Sequence, residues 1–240
     1  MTNQLKALQL SQDLGQEEQL IESRLNRLSS QELQELQNLI QLESFLEHPN
    51  NFIFSGLLIT KDERDTDTPV KTFPNKQYLH YIIDAVHESK RIMVPKSRQI
   101  HMSWLMCAYA LWTALFHPHS NIFFQSKKEE DASMMVFNKR PHNARISFMY
   151  EHLPVWLKNT IGAEGTYSKM NFSNGSLIWG IPEGANIIRS HTATLFISDE
   201  CAFQPEFESA YTSSAPMAKK IVGISSAAPG YFADLVTEVI

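Results

Sequence analysis

Residues 51–240 predict an α/β fold, a mainly parallel β-sheet flanked by helices, with an N-terminal helical segment in front of it. Three observations carry that expectation. Short apolar runs at Ile92–Val94, Asn121–Gln125, Leu195–Ser198 and Ile221–Ser225 are separated by stretches of helical length. Asn174-Gly175 sits between the apolar runs Met170–Phe172 and Leu177–Ile181, a strong hairpin signal. The first 50 residues are rich in Gln, Glu and Leu and contain no proline before Pro49.

In chain order, Leu33, Leu36, Ile40, Phe45 and Leu46 form a stripe at helical spacing after the cap-like pair Ser29-Ser30. The segment reads as two or three amphipathic helices, docked on the main domain or open to a partner. His48-Pro49-Asn50-Asn51 breaks the pattern and sets a boundary, giving a helical segment over 1–50 and a main domain over 51–240. Ile92–Val94 is a strand, followed by a helix from Met102 to Phe116 that stops near Pro118. Glu129 to Tyr150 reads as one helix kinked at Pro141, and Glu206–Tyr211 as another between the last two strands. In sheets of this kind chemistry gathers at the carboxyl ends of the strands.

Composition narrows the class. The 240 residues are 43% hydrophobic and 20% charged, enough to bury a substantial core. No apolar run approaches the roughly 18 residues of a membrane helix, and the first residues lack the pattern of a secretion signal. Cys107 and Cys201 stand in no metal or redox spacing, which fits a reducing compartment. Eight of the acids fall in residues 1–50 against three bases, so the net charge of −5 belongs to that segment and the remainder is neutral. A neutral body does not by itself predict nucleic-acid binding. The pairs Lys127-Lys128, Lys139-Arg140 and Lys219-Lys220 could form a local basic track, although such pairs are usually a solvated face. No H-E-x-x-H or Cys/His cluster points to zinc, and no G-x-S-x-G elbow to a serine hydrolase.

Two segments carry chemistry. Between a strand and a helix lies Lys96-Ser97-Arg98-Gln99-Ile100-His101-Met102-Ser103-Trp104. A phosphate-binding loop needs backbone N–H groups, a nearby cation and a hydroxyl at the helix start for Mg2+; Lys96, Arg98 and Ser103 meet the last two needs. The standard pattern is not met, because His101 and Met102 stand where glycine and lysine precede the hydroxyl. A glycine-free turn at His101 must avoid positive φ or hold it at a cost. A basic loop capping a helix is the alternative. The second segment, Thr194–Glu200, is an apolar strand ending in Asp199 and Glu200; a strand exit with two solvated acids is the alternative there.

The order strand–KSRQIHMS–helix, then GANIIRSHTATLFISDECAF, then KIVGISSAAPGYF resembles the large terminase subunits of tailed phages, whose ATPase domain is a P-loop fold of the additional-strand, catalytic-glutamate type. The likeness runs from about Phe73 to Tyr231. It implies Lys96 as a displaced loop lysine, Ser103 and Asp199 at Mg2+, Glu200 as the acid that activates water, and Ser225 with Ser226 as a coupling motif before Pro229. Gln77 resembles an adenine-reading glutamine, with a surface helix residue as the other reading. Arg189 resembles an arginine finger acting in a neighbouring subunit, with a surface ion pair as the other reading. Ala228 departs from the family by replacing a Ser or Thr, which leaves the coupling hydroxyl to Ser225 or Ser226.

The resemblance further implies ATP as substrate and translocation of double-stranded DNA into a procapsid. It implies a homo-oligomeric ring of five subunits on the portal protein, a small terminase subunit as partner, no membrane, and action in the host cytoplasm outside the mature virion. The family's nuclease domain is not expected in this chain, which ends at Ile240. A helicase-like nucleic-acid-dependent ATPase and a degenerate, non-hydrolysing scaffold are the rival readings.

Overall fold

The computed structural model describes residues 21, 25, 27–62, 64–138 and 144–238. Cα proximity divides the chain into two units, Met1–Ser44 and Phe45–Ile240. In the first unit, helix α1 (Ser30–Glu47) begins, and it starts where its sequence says it should. Ser29 Oγ accepts from the Glu32 amide at 3.3 Å, and the Glu32 carboxylate accepts from the Ser29 amide at 2.8 Å, a reciprocal capping box. Of the expected stripe, Leu33 and Leu36 are half-buried and Phe45 is buried, whereas Ile40 and Leu46 are exposed. Most of the acidic stretch before Ser29 lies outside the described residues.

The second unit is built on a seven-stranded sheet, in spatial order β3-β9-β8-β4-β7-β6-β5. Strands β3 (Arg91–Pro95), β9 (Ala218–Ser225), β8 (Ala193–Asp199), β4 (Asn121–Gln125) and β7 (Leu177–Ile181) run parallel. Strands β6 (Lys169–Phe172) and β5 (Ala163–Thr166) close one edge antiparallel. A separate hairpin pairs β1 (Ile59–Lys61) with β2 (Val70–Thr72).

Alternation along β8 shows how the sheet is covered. Phe196 packs in a buried cluster with Ala210 and Ile188, which belong to helices α9 (Phe207–Ser214) and α8 (Asn186–Arg189). Leu195, of opposite parity, shares a cavity wall with Tyr109 and Trp112 of helix α4 (Met102–Phe116). The same parity puts Asp199 on the α4 side. Helix α4 is buried along nearly its whole length, as a helix apolar all round must be. The remaining helices are α2 (Pro49–Ile53), α3 (Gln77–Glu88), α5 (Glu129–Met135), α6 (Arg145–Glu151), α7 (Val155–Thr160) and α10 (Tyr231–Thr237).

Two local outcomes differ from the periodicity. The single helix expected over Glu129–Tyr150 is two, α5 and α6, and the Pro141 kink and the Lys139-Arg140 pair fall outside the described residues. The chain leaves α5 because Phe137 is needed elsewhere. Its carbonyl accepts from Ser168 N at 2.8 Å, and its ring occupies the space over Gly165, where a Cβ would come within 1.9 Å. The β1–β2 hairpin has no apolar alternation to betray it. A side-chain turn holds it instead: Asp65 accepts from Thr68 N at 2.9 Å and pairs with Lys71 Nζ at 2.6 Å.

Candidate phosphate site

Register brings the candidate residues to one edge. Pro95 of β3 is opposite Ser225 of β9, and Asp199 of β8 is opposite Ile224. Lys96, Ser225 with Ser226, and Glu200 therefore leave three adjacent parallel strands at the same height. Lys96 N extends the ladder by donating to Ser225 O at 2.9 Å. The N-terminus of α4 adds Ser103. A cavity of about 750 Å3 opens here, lined by the whole run Lys96–Trp104 together with Asp199, Glu200 and Ser226.

The loop turns without glycine by accepting strain. Gln99 and His101 adopt φ of 65° and 61°, and Glu200 across the cavity adopts 51°. Among the described residues only two other non-glycine positions, His119 and Ser168, have positive φ, so most of this strain sits at the site. Neighbours hold the loop in place: Arg64 Nη1 donates to Gln99 Oε1 at 2.9 Å, and Tyr78 Oη to Ile100 O at 3.4 Å. Burial, with Lys76 nearby, lowers the His101 pKa, and His101 Nδ1 is buried without a hydrogen-bond partner. Met102, at the position of the usual lysine, is 3% exposed and packs inward. Arg98 and Ser97 are exposed on the loop.

Two carboxylates of unlike character face the loop. Asp199 is buried, and its two oxygens accept from Ser103 Oγ at 3.2 and 3.0 Å. Burial raises its pKa; the Ser103 hydrogen bond and the Lys96 charge oppose that rise without cancelling it. Glu200 also feels burial, but hydrogen bonds from Lys96 and the Ser226 amide outweigh it and leave its pKa below the usual carboxylate value. Glu200 Oε1 pairs with Lys96 Nζ, whose side chain is only 7% exposed. Oε2 accepts from Ser226 N at 3.1 Å and Ser225 Oγ at 3.3 Å. Ser225 Oγ also accepts from Ala202 N at 3.1 Å, tying the end of β9 to the turn after β8. Of the two serines before Ala228, Ser225 engages Glu200 through its hydroxyl and Ser226 through its backbone.

Ser103 and Asp199 place hard oxygen donors side by side. Among the described residues no group of three His, Cys, Asp or Glu could hold a metal by protein ligands alone. That donor set suits a cation such as Mg2+, which keeps several waters and takes further oxygens from phosphate.

The structure does not bring Gln77 or Arg189 into the cavity lining. Gln77 opens α3, exposed, with its amide donating to Tyr81 Oη at 2.6 Å. Arg189 ends α8, exposed, with Nε donating to Ser213 Oγ at 3.0 Å. Conversely, Ser126, Lys127, Asp131 and Arg145 line the cavity and were not legible in the loop motifs. Ser126 follows β4 directly, so the strand-end rule could have found it. Arg145 carries one signal, a cation in the first turn of a helix, where the dipole disfavours it.

Strand β9, which ends at Ser225, thus lies between the strand that leads into the loop and the strand that ends in Asp199. No protein-family model matches the chain, and neither does any curated protein sequence. Solved structures do. The large terminase ATPase domain of Thermus phage P74-26 matches at a TM-score of 0.50 and 16% identity, over 68% of this chain and 69% of that one. The HK97 bacteriophage large terminase matches at 0.58 and 15% identity, over 81% of this chain. This chain spans 40% of the HK97 protein's length. The fold is that of phage large terminase ATPase domains.

Proposed function

We propose that this chain is the ATPase motor domain of a large terminase subunit, hydrolysing Mg-ATP to move double-stranded viral DNA into a procapsid. The observation that carries the reading is the pairing of Ser103 with Asp199 and of Lys96 with Glu200 in one cavity, at the ends of adjacent parallel strands. Ser103 and Asp199 would hold Mg2+, which would supply neutralisation of phosphate charge. Loop N–H groups and Lys96 bind the phosphates. Glu200, kept ionised by its donors, is the group able to orient water and accept its proton once Lys96 turns to the nucleotide. Ser225 and Ser226 connect that carboxylate to β9, so a change at Glu200 is felt along the strand.

By the same reading the domain works in a homo-oligomeric ring of five on the portal protein, with a small terminase subunit as partner, in the host cytoplasm. Arg189 acts in trans, which its position outside its own chain's cavity supports. Gln77 reads the adenine. The chain divides into a helical segment over residues 1–50 and the motor domain over 51–240.

Glu200→Gln tests the chemistry. It should keep Mg-ATP binding, measured by calorimetry, while turnover falls by about a hundredfold or more. Unchanged turnover removes Glu200 from the mechanism, and absence of nucleotide binding by the unaltered chain leaves a non-hydrolysing scaffold.

A further inference from the structure

Arg145 enters the phosphate cavity from helix α6, which no loop motif includes. Its guanidinium carbon lies 5.6 Å from the centre of the Trp104 ring, and Nη1 approaches Met135 Sδ at 2.8 Å. Both partners are uncharged. Among the described residues no carboxylate lies within ion-pair distance of it, although the side chain is half-buried. Burying a guanidinium beside neutral groups is unfavourable unless an anion arrives to complete it.

The charges of the cavity point the same way. Lys96 is committed to Glu200, leaving Asp131 and Asp199 against Arg98, Lys127 and Arg145. Arg98 is solvent-exposed on the loop, so Arg145 is the partly desolvated cation whose charge is not already matched. Its field reaches the acid site: Asp199, raised mainly by burial, is drawn back in part by Ser103, Lys96 and Arg145.

We infer that Arg145 is a phosphate-binding residue acting in cis, holding the polyphosphate tail of the nucleotide in the cavity of its own chain. The Trp104 ring holds the guanidinium at the cavity wall, so its donors are near the ligand's place before the ligand arrives. This rests on the ATPase reading and adds to it a second arginine, unlike Arg189 in position and in the subunit it serves.

The test compares the unaltered 240-residue chain with Arg145→Ala and Arg145→Gln. Two probes are used, Mg-ATPγS and magnesium tripolyphosphate, the second having no nucleoside. Charged hydrogen bonds of this kind are worth about 10- to 100-fold in affinity, so both variants should lose that much for both probes. Arg145→Gln keeps part of the stem and a planar, uncharged head, so it reports binding even where Arg145→Ala fails to fold. Unchanged affinity for both probes in a variant with an unchanged melting temperature overturns the inference and leaves the ATPase reading standing. Weakened ATPγS with unaffected tripolyphosphate places Arg145 on the nucleoside and also overturns it. If the unaltered chain binds neither probe, the ATPase reading falls and this inference with it.

Discussion

Lys96–Ser103 and Asp199-Glu200 meet in one cavity, yet one is a turn held by side chains from elsewhere and the other ends a strand bonded on both sides. The loop bends through two non-glycine residues at positive φ and leans on Arg64 and Tyr78. The strand end needs less help: β4 and β9 fix β8, alternation turns Asp199 toward Ser103, and positive φ enters only one residue later, at Glu200. Function can thus be placed on a rigid element, where the cost is desolvation, or on a loop, where the cost is backbone strain.

Substitutions can break or sharpen this contrast. The largest effect is expected at Lys96, the cation on the loop side, since Met102 faces inward and cannot replace it. Lys96→Ala should abolish detectable ATP turnover, and normal turnover would show that the loop lysine lies elsewhere. Arg189 belongs to neither region, and Arg189→Ala should keep ATP binding while hydrolysis drops on the order of 10³-fold or more. Mixing it with Glu200→Gln should restore part of the turnover, because some interfaces then join two intact partners. A confirmed assembly that stays dead on mixing refutes action in trans.

The strand end should answer differently. Asp199→Asn should abolish hydrolysis yet raise the melting temperature of the nucleotide-free protein near neutrality. The sign follows from burial: the folded state raises the Asp199 pKa, so wild-type stability falls as pH rises through that value. The gain from Asn is therefore present above the raised pKa and should shrink as pH drops toward the ordinary carboxylate range. Glu200 runs the other way. Its depressed pKa gives stability at neutrality that is lost as pH falls through that folded-state value. Melting curves of Asp199→Asn and wild type across the acid range separate the two, and a gap independent of pH would count against a desolvated Asp199. The smallest effect is His101→Gly, which should stabilise by up to about 1 kcal/mol, roughly 2–4 °C in Tm, by relieving positive φ.

The same contrast explains what the sequence could disclose. Strands β4, β7 and β8, helix α4 and the acid pair were legible because burial and alternation write themselves into residue type. The hairpin β1–β2 and the strand β5 were not, since they are held by an Asp65 turn and by packing of Phe137 over Gly165. In the site, Lys96, Ser103, Asp199 and Glu200 stood beside strand ends and came together. Arg145 did not stand out because the chain must break at Val136 before α6 can deliver it, and that break serves the β5–β6 hairpin. The backbone strain at His101 was foreseeable only as a choice between two conformations, and that at Gln99 carried no signal in the sequence.

Glu200 already accepts from Lys96, Ser225 and Ser226, so its lone pairs are largely occupied before any water could reach it. On the proposed ATPase reading, this arrangement would work as a safety catch. The carboxylate would have to release β9's serines, or Lys96 to leave it, before a water could be gripped. A chain held in this arrangement would then idle rather than hydrolyse ATP in futile cycles.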